Sequence, residues 1–73
     1  MAAHEIYANP RLQRLPEVMA TTGLGRSQIY ALMAEGRFPA SVQITSKSVG
    51  WVQAEVAAWI QERIDARRTV AQA

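Results

Sequence analysis

The stretch Leu15–Pro39, "LPEVMATTGLGRSQIYALMAEGRFP", decides the fold, because its glycines and apolar spacing divide it into two short helices and a turn. Pro16 suits the first residue of a helix, where its missing N–H costs nothing. Glu17 beside it suits the positive end of the helix dipole. Leu15, Val18 and Met19 follow helical spacing until Gly23 supplies a left-handed stop. A first helix is therefore predicted over 16–22. The next start signal follows at once. Gly25 can serve as N-cap, with Gln28 three residues on as half of a capping box. Leu24 before the cap and Ile29 inside the helix form a hydrophobic staple that fixes the approach angle of the chain. Gly36 ends this second helix, predicted over 26–35.

Outward from this pair, residues 1–10 show no periodicity and Pro10 interrupts any helix, which predicts a flexible lead-in. The run Arg11 to Leu15 can be extended, since Pro16 disfavours helical geometry in the residue before it. After Gly36 the period changes. "SVQITSKSVGWV" (41–52) places Val42, Ile44, Val49 and Trp51 at alternate positions around a polar tip, Thr45 to Ser48, and so predicts a hairpin. The tip lacks the Asn-Gly or Gly-Gly pair of a tight turn, so a slightly longer loop is expected. In "QAEVAAWIQERIDARR" (53–68), Val56, Trp59, Ile60 and Ile64 continue from Val52 as one stripe at helical spacing. Glu55 near the start and Arg63, Arg67 and Arg68 near the end suit the dipole. Residues 69–73 are expected to fray. The order of elements is that of a mainly α fold with a small β-hairpin: a winged helix-turn-helix over 11–68, with three helices and a two-stranded wing.

A chain of 73 residues is one domain at most, and its hydrophobic content of 49% suffices for a compact fold. The absence of cysteine excludes disulfides, Cys-based zinc sites and thiol chemistry. His4 is the sole histidine and sits in the loose terminus, so no metal set and no nucleophile–base pair can be assembled. These features point away from catalysis, and no cofactor, metal or small-molecule ligand is expected. The N-terminus lacks the basic start and apolar run of a signal peptide, and no stretch has the length of a membrane span, so a cytoplasmic protein is expected. Net charge is +2, a mild excess that only weakly favours a polyanionic partner.

On a wheel of 100° per residue, Ile29, Leu32 and Met33 of the second helix point one way and should be core. Opposite lie Ser27, Ala31 and Ala34, with Tyr30 at one edge and Gln28 and Glu35 at the other. Small residues on this face let a helix approach base edges closely. Ser27 and Gln28 can hydrogen-bond to bases, and alanine methyls can touch thymine methyls. Arg26, at the N-terminal end, can meet a guanine or a phosphate. The same face of serine and alanine is equally what an ordinary solvated helix shows, so the cations help decide. Arg11 and Arg14 precede the first helix, Arg26 opens the second, Arg37 follows it, and Lys47 tips the hairpin. Arg14, Arg37 and Lys47 are the candidate phosphate contacts, although Arg11 and Arg14 taken singly read as solvated charges. Arg26, Ser27, Gln28 and Tyr30 are the candidates for base readout. Tyr30 has two uses open to it: its hydroxyl can reach a phosphate, or its ring can cover the edge of the core. Phe38, Trp51 and Trp59 fall on the strand and helix stripes and are assigned to core packing rather than base stacking.

"RLPEVMATTGLGRSQIYALMAEGRFPASVQI", followed by "SVGWVQAEVAAWIQERI", resembles the AlpA-type prophage regulators, small relatives of the excisionases and of MerR-like domains. The resemblance covers roughly 11–68. Its most specific pieces are Gly23-Leu24, Arg26-Ser27 with Ile29-Tyr30, the run Glu35 to Pro39, and Trp51 followed by Glu55-Val56 and Trp59-Ile60. It implies a winged helix-turn-helix that binds double-stranded DNA and regulates transcription of a prophage or mobile element, with helix 26–35 in the major groove and hairpin 42–52 on the backbone or in the minor groove. It leaves two alternatives: an excisionase-type directionality factor that bends DNA and assists an integrase, and a protein-interaction module that has lost DNA binding. Carried over by position, Arg26, Ser27 and Tyr30 match the recognition helix, Arg37 the basic residue after it, and Lys47 a basic residue of the wing. The chain departs from the family pattern at Gly25, Ala31, Ala34, Ala40 and Thr45-Ser46, where serine, basic residues or glycine are common. Fewer cations then face the groove, which implies weaker affinity per monomer and more reliance on self-association or an integrase-like partner.

Overall fold

A computed structural model of the chain describes residues 9–72, with side chains as far as Arg67. The lead-in expected over 1–10 therefore lies, apart from Asn9 and Pro10, outside the described residues, as does His4. The elements are β1 (Leu12–Gln13), α1 (Leu15–Thr22), α2 (Arg26–Ala34), β2 (Val42–Thr45), β3 (Ser48–Val52) and α3 (Gln53–Gln72). Three helices and a hairpin appear in the predicted order, as a winged helix-turn-helix requires.

The helix ends follow from the local chemistry that marked them in the sequence. α1 begins one residue before Pro16, which still sits in the first turn, where no intrahelical partner is lost. The Glu17 carboxylate accepts the Arg14 backbone N–H at 2.9 Å. At α2, Gln28 Oε1 accepts the Gly25 N–H at 2.8 Å. Each cap is one-sided, because neither Arg14 nor Gly25 has a side-chain acceptor to return. α1 stops at Gly23, which has φ 79° and donates to the Met19 carbonyl at 2.9 Å. α2 closes through a Schellman pair: Gly36, at φ 73°, donates to Met33 O at 3.0 Å, and Arg37 donates to Leu32 O at 2.8 Å. This closure makes Glu35 the cap rather than the last helical residue.

The sheet has three strands rather than the two of the predicted wing, in the order β1-β3-β2 and antiparallel throughout. β1 pairs Leu12 with Val52 and Gln13 with Trp51, and Arg11 O accepts the Gln53 N–H at 2.7 Å. The hairpin turn is also shorter than expected. Thr45 pairs with Ser48, so only Ser46 and Lys47 lie between the strands. Among the described residues no non-glycine residue has positive φ, so this is not a primed turn. Hydroxyls serve instead: Thr45 Oγ1 lies 2.8 Å from Ser48 Oγ and accepts the Lys47 N–H at 3.2 Å.

The body of the hairpin is out of step with its tip. Val42 pairs with Gly50 and Gln43 with Val49, and the shift before Thr45 leaves Ile44 as an extra residue in β2. Had the tip register continued, Val42, Ile44, Val49 and Trp51 would share one face, as their alternation suggests. The bulge flips two of them. Trp51 is fully buried, whereas Val42 and Ile44 are 38% and 40% exposed on the opposite face. Gly50 sits on that outer face beneath Ile44. A Cβ there would lie 2.9 Å from Ile44 Cδ1 and 3.1 Å from the Gln13 carbonyl oxygen. The isoleucine tip can turn aside, but the carbonyl belongs to β1 and cannot move without disturbing the ladder. Gly50→Ala is therefore expected to destabilise the fold by about 1–3 kcal/mol in urea unfolding. A change within about 0.5 kcal/mol would mean that β1 gives way freely.

The core is Val18, Ile29, Phe38, Trp51 and Val56, one residue from each helix plus one from β3 and one from the α2–β2 connection. Leu24, Leu32, Met33 and Trp59 pack partly against it, so the residues assigned to the core from the sequence all lie there. α3 departs from the expected pattern at its far end. Its stripe begins with buried Val56, passes through half-buried Trp59 and Ile60, and emerges at Ile64, 40% exposed. No glycine or proline stops the helix after Arg68, and its backbone continues through Gln72 where fraying was expected from 69. Ala73 lies outside the described residues. Among the described residues no helix is long and apolar enough to cross a membrane.

Candidate nucleic-acid interface

α2 presents the outer face that its wheel predicts. Arg26, Ser27, Gln28, Tyr30, Ala31 and Ala34 are exposed, while Ile29 on the opposite side is fully buried. Arg26 and Tyr30 form a unit. The guanidinium carbon of Arg26 lies 5.8 Å from the Tyr30 ring centroid, a cation–π contact that limits the sweep of a long side chain. Tyr30 in turn meets Trp51 edge-on, with centroids 6.2 Å apart and planes at 67°. The tyrosine ring thus covers the edge of the core and still leaves 39% of the residue exposed. A path of ring contacts runs from the buried tryptophan to a cation at the start of the helix.

The other polar candidates differ in freedom. Ser27 is exposed on the first turn. Gln28 is exposed too, but its Oε1 is occupied by the Gly25 N–H, which leaves its amide N–H groups as the donors it can offer outward. Ala31, Ala34 and Ala40 are all exposed, so no bulky side chain stands between the helix backbone and an approaching surface there.

The cations frame α2 at both ends. Arg37 follows the Schellman closure, and about 12 Å of helix separates the α-carbons of Arg26 and Ala34. The Arg37 guanidinium lies 3.4 Å from a Glu35 carboxylate oxygen; both side chains are more than half exposed, so the pair holds the arginine weakly. Its backbone is held much better. Trp59 Nε1 donates to the Arg37 carbonyl at 2.8 Å, and Trp59 packs edge-on against Phe38 with centroids 5.0 Å apart. Trp59 therefore fixes the loop that presents Arg37, a role that its place in the α3 stripe does not reveal. Lys47 is exposed at the hairpin tip. Arg14 and Arg11 are exposed beside β1, with their backbones fixed by the Glu17 cap and the Gln53 N–H respectively. Among the described residues, no group of three histidine, acidic or cysteine side chains is placed to hold a metal ion.

Residues 11–64 match the family described as prophage CP4-57 regulatory protein (AlpA). The chain is 47% identical over 58 residues to the uncharacterized protein ORF88 of Enterobacteria phage P4, a match that covers 80% of this chain and 66% of that protein. It is 36% identical over 59 residues to the DNA-binding transcriptional activator AlpA of Escherichia coli (strain K12), covering 73% of this chain and 84% of that protein. No solved structure matches.

Proposed function

Since this chain belongs to the AlpA family of prophage regulatory proteins, we propose that it is a sequence-specific double-stranded-DNA-binding regulator of transcription from a prophage or mobile element, at work in the bacterial cytoplasm. α2 enters the major groove and the β2–β3 hairpin lies on the adjacent backbone or in the minor groove. The observation that carries this reading is the exposed, small-residue face of α2 with Arg26 propped at its start on Tyr30. Small side chains permit close approach to base edges, and an arginine held in one place can address a guanine bidentately. The Escherichia coli relative is described as a DNA-binding transcriptional activator, which supports DNA binding and a role in transcription for this chain.

Arg14, Arg37 and Lys47 supply phosphate contacts around that face, which give affinity and register without sequence information. With alanine at 31 and 34 on α2 and at 40 beyond its end, few charges lie on this face itself, so a single copy binds modestly. Selectivity then comes from a second copy or another DNA-bound protein.

Selection of bound duplexes from a randomised pool tests the reading, followed by titration of the enriched duplex at several salt concentrations. One enriched motif, with affinity that falls steeply as salt rises, is expected. Repeated motifs bound with bending would move the assignment to an excision factor acting with an integrase. No enrichment and no salt-dependent binding would overturn DNA recognition and favour a protein-interaction module.

A further inference from the structure

α3 outruns the fold it belongs to. Its first turns are pinned to β3 and α1, yet the apolar stripe continues past the covered region to Ile64. There a shallow groove of about 270 Å³ opens between the C-terminal end of α1, at Thr22, and the face of α3 that carries Trp59, Ile60, Arg63, Ile64 and Arg67. On a helical wheel those five α3 residues fall within an arc of about 140°, and Glu62 and Asp65 fall outside it. Asp65 is engaged by Gln61 Nε2 at 3.1 Å on its own side of the helix, and Glu62 lines a separate groove beyond Trp59. Among the described residues, the only ionisable side chains lining the groove are thus two arginines, interleaved with aliphatic and aromatic surface. The guanidinium carbon of Arg63 lies 5.5 Å from the Trp59 ring centroid, so one of the two charges is held at the groove.

We propose that this groove is a docking site for an amphipathic helix of a partner protein, one that carries aliphatic residues at three- and four-residue spacing flanked by aspartate or glutamate. The aliphatic residues would cover Ile60 and Ile64, and the acidic ones would meet Arg63 and Arg67. The charge pattern selects this occupant over the alternatives. A second copy docked through the same face brings arginine against arginine. Nucleic acid satisfies the arginines but leaves Ile60 and Ile64 facing phosphates. The site lies on α3, so it allows a partner to dock while α2 engages a duplex.

The probe is a displayed library of helical peptides with a fixed aliphatic stripe and randomised flanks, selected on the full chain. The enriched peptide is then titrated while the Ile60, Ile64 and Trp59 side-chain resonances are followed. Enrichment of acidic flanks, with shifts centred on those three residues, is the expected result. Arg63→Glu with Arg67→Glu should weaken the enriched peptide by about tenfold or more, while leaving helicity and duplex affinity unchanged. Arg63→Gln with Arg67→Gln should give an intermediate loss and guards against a folding defect. Neutral or basic flanks, shifts elsewhere, or no enrichment would overturn the proposal. Loss of duplex binding in a folded Arg63→Glu, Arg67→Glu chain would show a nucleic-acid face instead. A concentration-dependent dimer dissolved by Ile64→Glu would show a second copy there. Duplex affinity of the unaltered chain, measured alongside, separates failure of this site from failure of the DNA-binding reading.

Discussion

Trp51→Ala is expected to abolish most of the folded population. Trp51 is fully buried in β3, the central strand, and draws contacts from three directions. It pairs with Gln13 of β1, shares the core with Val18 and Val56 of α1 and α3, and receives the Tyr30 ring from α2. Removing a buried tryptophan of this kind costs about 3–5 kcal/mol. A domain of this size draws little more than about 3–5 kcal/mol from its core, so one substitution removes nearly all of it. Trp51→Phe should behave differently. The Trp51 indole N–H and Gln13 Oε1 are both buried without a hydrogen-bond partner among the described residues, so phenylalanine removes an unsatisfied donor while keeping most of the ring. A loss below about 1.5 kcal/mol is expected for it. Urea unfolding followed by far-ultraviolet circular dichroism compares the two. If Trp51→Ala loses less than about 1 kcal/mol, the core is not centred on this strand.

The same residues show what one chain of letters can and cannot reveal. Gly23, Gly36 and the Gly25–Gln28 pair end or start helices through contacts spanning five residues or fewer, so the sequence marks them directly. The outer face of α2 follows from its period once its ends are known. β1 is too short for any period, and its pairing with β3 spans some forty residues of chain; only the extended geometry demanded before Pro16 hinted at it. The bulge at Ile44 is a register choice, and its sign depends on which face the three-stranded sheet turns toward the helices. Alternation therefore identified the hairpin but misplaced Val42 and Ile44. The supports of the candidate site are equally distant. Tyr30 rests on Trp51, and Trp59 holds Arg37 from 22 residues away. Periodicity assigns both tryptophans to the core and says nothing of what they brace.

That bracing gives the second large effect. On the DNA-binding reading, Arg26→Ala should weaken the enriched duplex by about 1–3 kcal/mol, roughly fivefold to 150-fold, and relax preference at the base pair it addresses. Lys47→Ala should act differently, weakening all duplexes alike and lowering the salt slope by about one. Tyr30 separates positioning from contact. Tyr30→Phe retains the ring under Arg26 and the edge against Trp51, so it should bind almost as the unaltered chain does. A substantial loss there would assign the work to the hydroxyl, as a phosphate contact would require. Tyr30→Ala removes both ring contacts, frees Arg26 to sample many rotamers, and should approach the loss seen for Arg26→Ala. Arg26→Lys completes the set: it keeps the charge but not the planar fork, so base discrimination should fall while the salt slope stays constant. If Arg26→Ala and Tyr30→Ala instead weaken every sequence alike and Arg26→Lys alters no base preference, Arg26 is a phosphate contact and the base-reading residues lie further along α2, among Ser27, Gln28 and the two alanines.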